Sequence, residues 1–131
     1  MTEIKVTCQK LASRISEKLE LSADEQYQLF SAASQGIDRD SGGRGLDQIK
    51  VSYVLGILIA VYICFSDPKR AVQHLRRPNS DFPFDGRSPL DLMMTGTEGL
   101  RLTRKYFDEK AQPLGKDDPV YKWALNSILS D

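Results

Sequence analysis

Leu11, Ile15 and Leu19 recur every fourth residue with charges between them, which lines one face of a helix and predicts a first amphipathic helix from around Ile4 to Leu19. Ser22-Ala23-Asp24-Glu25 follows as a capping box, the serine oxygen taking a first-turn amide and the glutamate reaching back, so a second helix is predicted to about Ala33. Gln35 to Gly45 then breaks the periodicity with four glycines and charges of both signs. Val51 to Ser66 has a different character. It carries no charge, and through Tyr53-Val54-Leu55, Ile57-Leu58-Ile59 and Val61-Tyr62-Ile63-Cys64-Phe65 it is apolar on every side of a helix expected from about Leu46 to Phe65. The run falls short of the roughly 20 residues a bilayer requires and is flanked by Lys50 and Asp67. A central core helix or a subunit-interface helix is expected, and no membrane.

From residue 67 onward, prolines and glycines set the path. Asp67-Pro68, Ser88-Pro89 and Asp118-Pro119 each place a capping oxygen before a proline, whose missing N–H costs nothing in a first helical turn. Arg77-Pro78-Asn79 disfavours helix at Arg77 and Gly86 permits a tight turn, so Pro78 to Arg87 reads as an ordered connection. Leu90-Asp91-Leu92-Met93-Met94 is followed almost at once by Gly96 and Gly99, which predicts a helix of one or two turns and a new start near Thr97. Leu100, Thr103 and Phe107 stripe that helix to about Gln112, Pro113 to Asp117 breaks it, and Val120, Trp123, Ala124 and Ile128 fall at helical spacing in a short last helix. No segment alternates as a strand would, so the fold is expected to be all-α, a bundle of about six or seven helices. Its parts are an N-terminal helical region (1–66), a Pro/Gly-shaped segment (67–112), and a linker with a C-terminal helix (113–131).

At 131 residues there is room for one modest core and no second catalytic domain. Eighteen basic and eighteen acidic side chains cancel, and residues 1–66 hold seven basic against eight acidic residues, so the charge favours no polyanion. Cys8 and Cys64 form no metal-binding or redox pattern, and Met1 to Ser22 lacks the apolar stretch of a signal peptide, so a cytoplasmic location is expected. His74 stands alone as the sole histidine, Asp85 and Asp91 suit capping, and Gly42-Gly43-Arg44-Gly45 lacks the lysine of a phosphate loop. Neither catalysis nor a cofactor nor a metal is indicated. The basic run Lys69, Arg70, His74, Arg76, Arg77 reads either as a solvated helix face or as part of a protein interface.

Ala71, Leu75, Pro78-Asn79, Phe84, Gly86, Pro89, Asp91-Leu92, Gly96 and Gly99 together resemble the toxin-binding domain of Xre/MbcA/ParS antitoxins, over about residues 60 to 112. His74 departs from that pattern, standing where the family usually has tryptophan, and no glycine follows Lys110. The resemblance implies a type II antitoxin that neutralises a RES-domain toxin, an NAD-consuming or ADP-ribosylating enzyme, by blocking its active site, and that acts as a homodimer within a larger complex. The candidate toxin-binding residues are Asn79, Phe82, Phe84, Asp85, Arg87, Leu90, Met93, Met94 and Trp123, with Leu90, Leu92, Met93 and Trp123 carrying an equal core reading. Pro78, Gly86, Pro89, Asp91, Gly96 and Gly99 are the structural positions of the motif. Related antitoxins often add a helix-turn-helix. Here its recognition helix would run from Ser34 to Arg44, where Arg39 and Arg44 are the only cations and Gly36, Gly42 and Gly43 interrupt, so a degenerate element and weak DNA binding are expected. The competing reading is a stand-alone regulatory or adaptor protein, or a DNA-binding regulator.

Overall fold

Capping oxygens start five of the helices in this computed structural model, which describes residues 8–31, 46–111, 115 and 117–130. In chain order the helices are α1 (Cys8–Leu19), α2 (Ala23–Phe30), α3 (Gln48–Phe65), α4 (Pro68–Arg76), α5 (Pro89–Met93), α6 (Thr97–Ala111) and α7 (Pro119–Leu129). Ser22 accepts from the Glu25 amide at 3.1 Å while the Glu25 carboxylate accepts from the Ser22 amide at 2.9 Å, so both halves of the capping box form. Asp67, Ser88 and Asp118 cap their helices with proline at the first helical positions. Asp47 caps α3 through the amides of Ile49 and Lys50.

The second helix is shorter than its spacing predicts. It stops at Phe30, because Ser31 turns extended (φ −73°, ψ 150°) and forms an isolated antiparallel bridge with Leu46. The Lys50 ammonium donates to the Ser31 carbonyl at 2.9 Å and the Asp47 amide to the Phe30 carbonyl at 2.8 Å, so carbonyls at the helix end find partners outside it. Residues 4–7 of the predicted first helix, residues 32 and 33, Gln112, and the predicted recognition helix with Arg39 and Arg44 lie outside the described residues.

Helix α3 is the axis of the bundle. By length and composition it could cross a membrane, yet α6 lies along it and α1, α2, α4 and α7 also pack on it, burying Val51, Val54, Ile57, Leu58, Val61 and Tyr62. Packing within the chain thus accounts for Val51, Val54 and Ile57 to Tyr62 of this segment, with Ile49 left exposed near its start. Around α3 the core is completed by Ile15 and Leu19 of α1, Leu29 of α2, Leu75 of α4, Leu100 and Phe107 of α6 and Ile128 of α7. Each such side chain removed from water stabilises the fold by about 1.5–3 kcal/mol before entropic costs are subtracted. Buried Ser16 and Thr103 return their hydroxyls to carbonyls one turn back, at 2.8 Å each, which leaves neither unpaired.

Arg76, on the basic run, is exposed but tied down. Its Nη2 donates to the carbonyls of Leu19 (2.9 Å) and Glu20 (3.0 Å) and to the Glu25 carboxylate (3.2 Å), clamping the end of α4 onto the α1–α2 corner. The same guanidinium is the main reason the Glu25 carboxyl titrates below its usual range. Lys69, Arg70 and Arg77 remain exposed.

Candidate functional site

Between α4 and α5 the chain makes a closed loop without regular structure. Arg77 is extended (φ −98°, ψ 144°), as a residue preceding proline must be. The Asn79 amide donates to the Arg87 carbonyl at 3.1 Å and the Gly86 amide to the Asn79 carbonyl at 2.7 Å, so the two ends of the loop are tied together. Inside it the amides of Phe84 and Asp85 both donate to the Asp81 carbonyl, and the Asp81 amide donates to the Asn79 side chain at 2.8 Å. Asp85 (φ 50°) and Gly86 (φ 98°) take left-handed conformations in succession, which glycine adopts without strain at the second position. The Phe82–Pro83 peptide is cis.

This backbone sends two phenylalanines in opposite directions. Phe84 is fully buried, edge-on to Tyr106 with ring centroids 4.9 Å apart and 6.2 Å from Phe107. Phe82 is 75% exposed. Asp85 and Arg87 are exposed on the same loop and Asn79 is half-buried. Phe84, Leu90 and Met93 are buried in this chain, the core alternative that the sequence held open for Leu90 and Met93 and a departure from the contact reading for Phe84. Met94 is half-buried at the join between α5 and α6, and Asp91 is exposed in the first turn of α5, whose capping serine accepts its amide at 3.1 Å. Trp123 lies elsewhere, on α7, which packs on α1 and α3. It is 37% exposed and leans on Tyr62 with ring centroids 6.0 Å apart, so it is half core and half surface.

Two residues of the loop's support carry no sequence signal. The Tyr106 hydroxyl on α6 donates to the Asp81 carboxylate at 2.7 Å, and the Lys110 ammonium stands 5.0 Å from the centre of the Tyr106 ring. Burial first, and the Asp81 carboxylate second, push the phenol's titration upward. Tyr106 simply precedes a core position of an amphipathic helix, and helical periodicity does not say what a half-buried neighbour of the stripe will touch.

His74 is a packing residue, stacked against Phe65 (4.6 Å between centroids) and edge-on to Phe107 (6.0 Å). Burial, and then the nearby cations Arg77 and Lys110, hold its pKa below the ordinary 6.5. The unfolded chain therefore takes up this proton at a higher pH than the folded one does. His74's contribution to stability is complete above about pH 6.5 and is lost as the pH falls through the lowered folded pKa. Urea midpoints should drop from about pH 7.5 to about pH 5.5 in the wild type and stay level in His74→Phe, which keeps the ring stacking. An equal drop in both would assign the effect to another group.

An open cleft of 320 Å³ is lined by Gln48, Ile49, Ser52, Tyr53 and Arg104. Arg104 reaches across α3 at Gly56, where a Cβ would meet its guanidinium, and pairs with Asp108 at 3.4 Å. Among the described residues no cluster of His, Cys, Asp or Glu could hold a metal.

Residues 60–109 match the model of the Antitoxin Xre/MbcA/ParS C-terminal toxin-binding domain, a span running from α3 through nearly all of α6 and enclosing the loop. The chain is also 35% identical over 101 residues to the uncharacterized protein y4oB of Sinorhizobium fredii (strain NBRC 101917 / NGR234), a match covering 72% of this chain and 77% of that protein. No solved structure matches it significantly.

Proposed function

Because this chain belongs to the family of antitoxins that carry the Xre/MbcA/ParS C-terminal toxin-binding domain, we propose that it neutralises a RES-type toxin, an enzyme that consumes NAD or transfers ADP-ribose, by seating the 79–87 loop at the toxin's active-site entrance. The observation that carries the proposal is the pairing of an anchored Phe84 with an exposed Phe82 two residues away, on a loop closed by its own hydrogen bonds. A large aromatic ring held out in water by a preorganised backbone suits the buried centre of an interface, since little further ordering has to be offset on binding. Arg87 and Asp85 flank it as polar rim groups. The antitoxin contributes no chemistry of its own in this reading; it occludes. It works in the cytoplasm, where the toxin's substrate is, as a homodimer within the toxin complex, and α7 with Trp123 supplies a second contact.

Co-expression with the product of the neighbouring reading frame tests this, scored by growth rescue and by a complex that survives purification. Rescue with a complex is expected. Phe82→Ala should weaken that complex by a factor of about 30 or more while leaving the thermal midpoint unchanged, the behaviour of an interface anchor. Failure of the wild type to rescue or to bind would rule out a RES-type partner at that locus, and full binding by Phe82→Ala would remove the loop from the interface.

A further inference from the structure

The support beneath the loop assigns a role to a residue outside it. Tyr106 is on α6, and its hydroxyl reaches the loop, where it donates to the Asp81 carboxylate at 2.7 Å. Asn79 in turn accepts from the Asp81 amide at 2.8 Å. Asn79, Asp81 and Tyr106 are therefore linked in a chain of two hydrogen bonds whose only member on a regular element is the tyrosine. The tyrosine's own placement is rigid. Its ring packs edge-on against Phe84 and Phe107, both at 4.9 Å between centroids, and the Lys110 ammonium stands against it at 5.0 Å. Phe82 follows Asp81 directly, so whatever holds Asp81 aims Phe82.

We infer that Tyr106 is a positioning residue for toxin binding: through Asp81 and Asn79 it ties the loop to α6 and holds Phe82 in the orientation the partner receives. The inference rests on the reading of the loop as the toxin contact. Without the hydroxyl the loop keeps its backbone ties and its Phe84 anchor, but the Asp81 turn that carries Phe82 is no longer fixed to the bundle. Binding must then order it again, and that loss appears mainly as faster dissociation. Asn79 belongs to this lock and not to the contact surface, which accounts for its being half-buried.

The test uses the full chain and four variants: Tyr106→Phe, Asp81→Ala, Asp81→Asn and Phe82→Ala. In the free protein, amide hydrogen exchange at Phe84 to Arg87 should quicken roughly tenfold in Tyr106→Phe and Asp81→Ala, the size expected for losing one hydrogen bond to a charged group, while amides of α3 and α6 keep their rates. Asp81→Asn retains an acceptor for the tyrosine and should behave close to wild type. Bound to the purified product of the neighbouring reading frame, the two disruptive variants should dissociate about tenfold faster with the association rate nearly unchanged. Wild-type exchange and lifetime in Tyr106→Phe would overturn the inference, as would a uniform rise in exchange across the molecule, which marks general destabilisation. If Phe82→Ala binds as wild type does, the reading of the loop fails and takes the role of Tyr106 with it. If Phe82→Ala releases the partner while Tyr106→Phe does not, the positioning role alone fails.

Discussion

Phe84→Ala is expected to cost about 3–5 kcal/mol, the range for deleting a buried phenylalanine from a core that cannot close over the gap. The side chain is fully buried, and the Tyr106 and Phe107 rings that touch it are themselves held by α6. Little can move into the space. A domain of this size has about 5–15 kcal/mol of stability in total, so the variant should lose half its resistance to urea or fail to fold at 37 °C. Chemical denaturation followed by circular dichroism reads this directly, and a loss below about 1 kcal/mol would mean that the ring is not the loop's anchor. The contrast with Phe82→Ala is the useful part. One aromatic truncation should destabilise the fold and the other only the complex, with a single residue between them.

The second large effect is expected at Gly99, where two forces oppose each other. In a helix interior, alanine is favoured over glycine by about 1 kcal/mol, so Gly99→Ala ought to stabilise α6. A Cβ at Gly99, however, would run into the backbone carbonyl oxygen of Leu92 and the Thr95 hydroxyl. That carbonyl cannot retreat freely, since it already accepts from the Thr95 hydroxyl at 2.7 Å and from the Thr95 amide at 3.1 Å. Steric overlap with fixed backbone costs about 1–3 kcal/mol or more and wins over propensity. The thermal midpoint should fall by roughly 5–10 °C, given about 4 °C per kcal/mol for a chain of this length. A rise in the midpoint would show that α5 and α6 can separate at little cost.

Helix starts were the legible part of this fold, because a capping oxygen followed by proline is a local instruction that needs no tertiary partner. Ser22, Asp67, Ser88 and Asp118 each cap the helix that their neighbours announce, and the glycine-bounded start at Thr97 holds to the residue. The end of α2 was not legible. Nothing in Phe30-Ser31-Ala32-Ala33 resists helix, and the stop is imposed by contacts from Leu46, Asp47 and Lys50, far along the chain. The same limit applies at the loop. Phe82 and Phe84 are the same residue in the same irregular stretch, where neither a period of 2 nor one of 3.6 operates, so the choice of which ring enters the core depends on the turn at Asp81 and the room beside Tyr106. Arg76 looked like one cation among several, and only the fold brings two carbonyls and a carboxylate to it. In α3 the apolar residues on every side marked a core or interface helix but could not rank its faces, which are distinguished by what packs on them.

The span shared with other antitoxins opens at residue 60, inside α3, and that helix runs from Gln48 to Phe65 as one piece. The first turns of α3 and the α1–α2 corner that receives Arg76 lie before that point. Residues 60–109 by themselves are therefore expected to fold poorly. A gene fusion or recombination event that carried residues 60–109 into another protein would have to bring a substitute for the front half of a helix and a new acceptor for one guanidinium. Substitutions on either side of residue 60 are therefore expected to be coupled in their effect on stability.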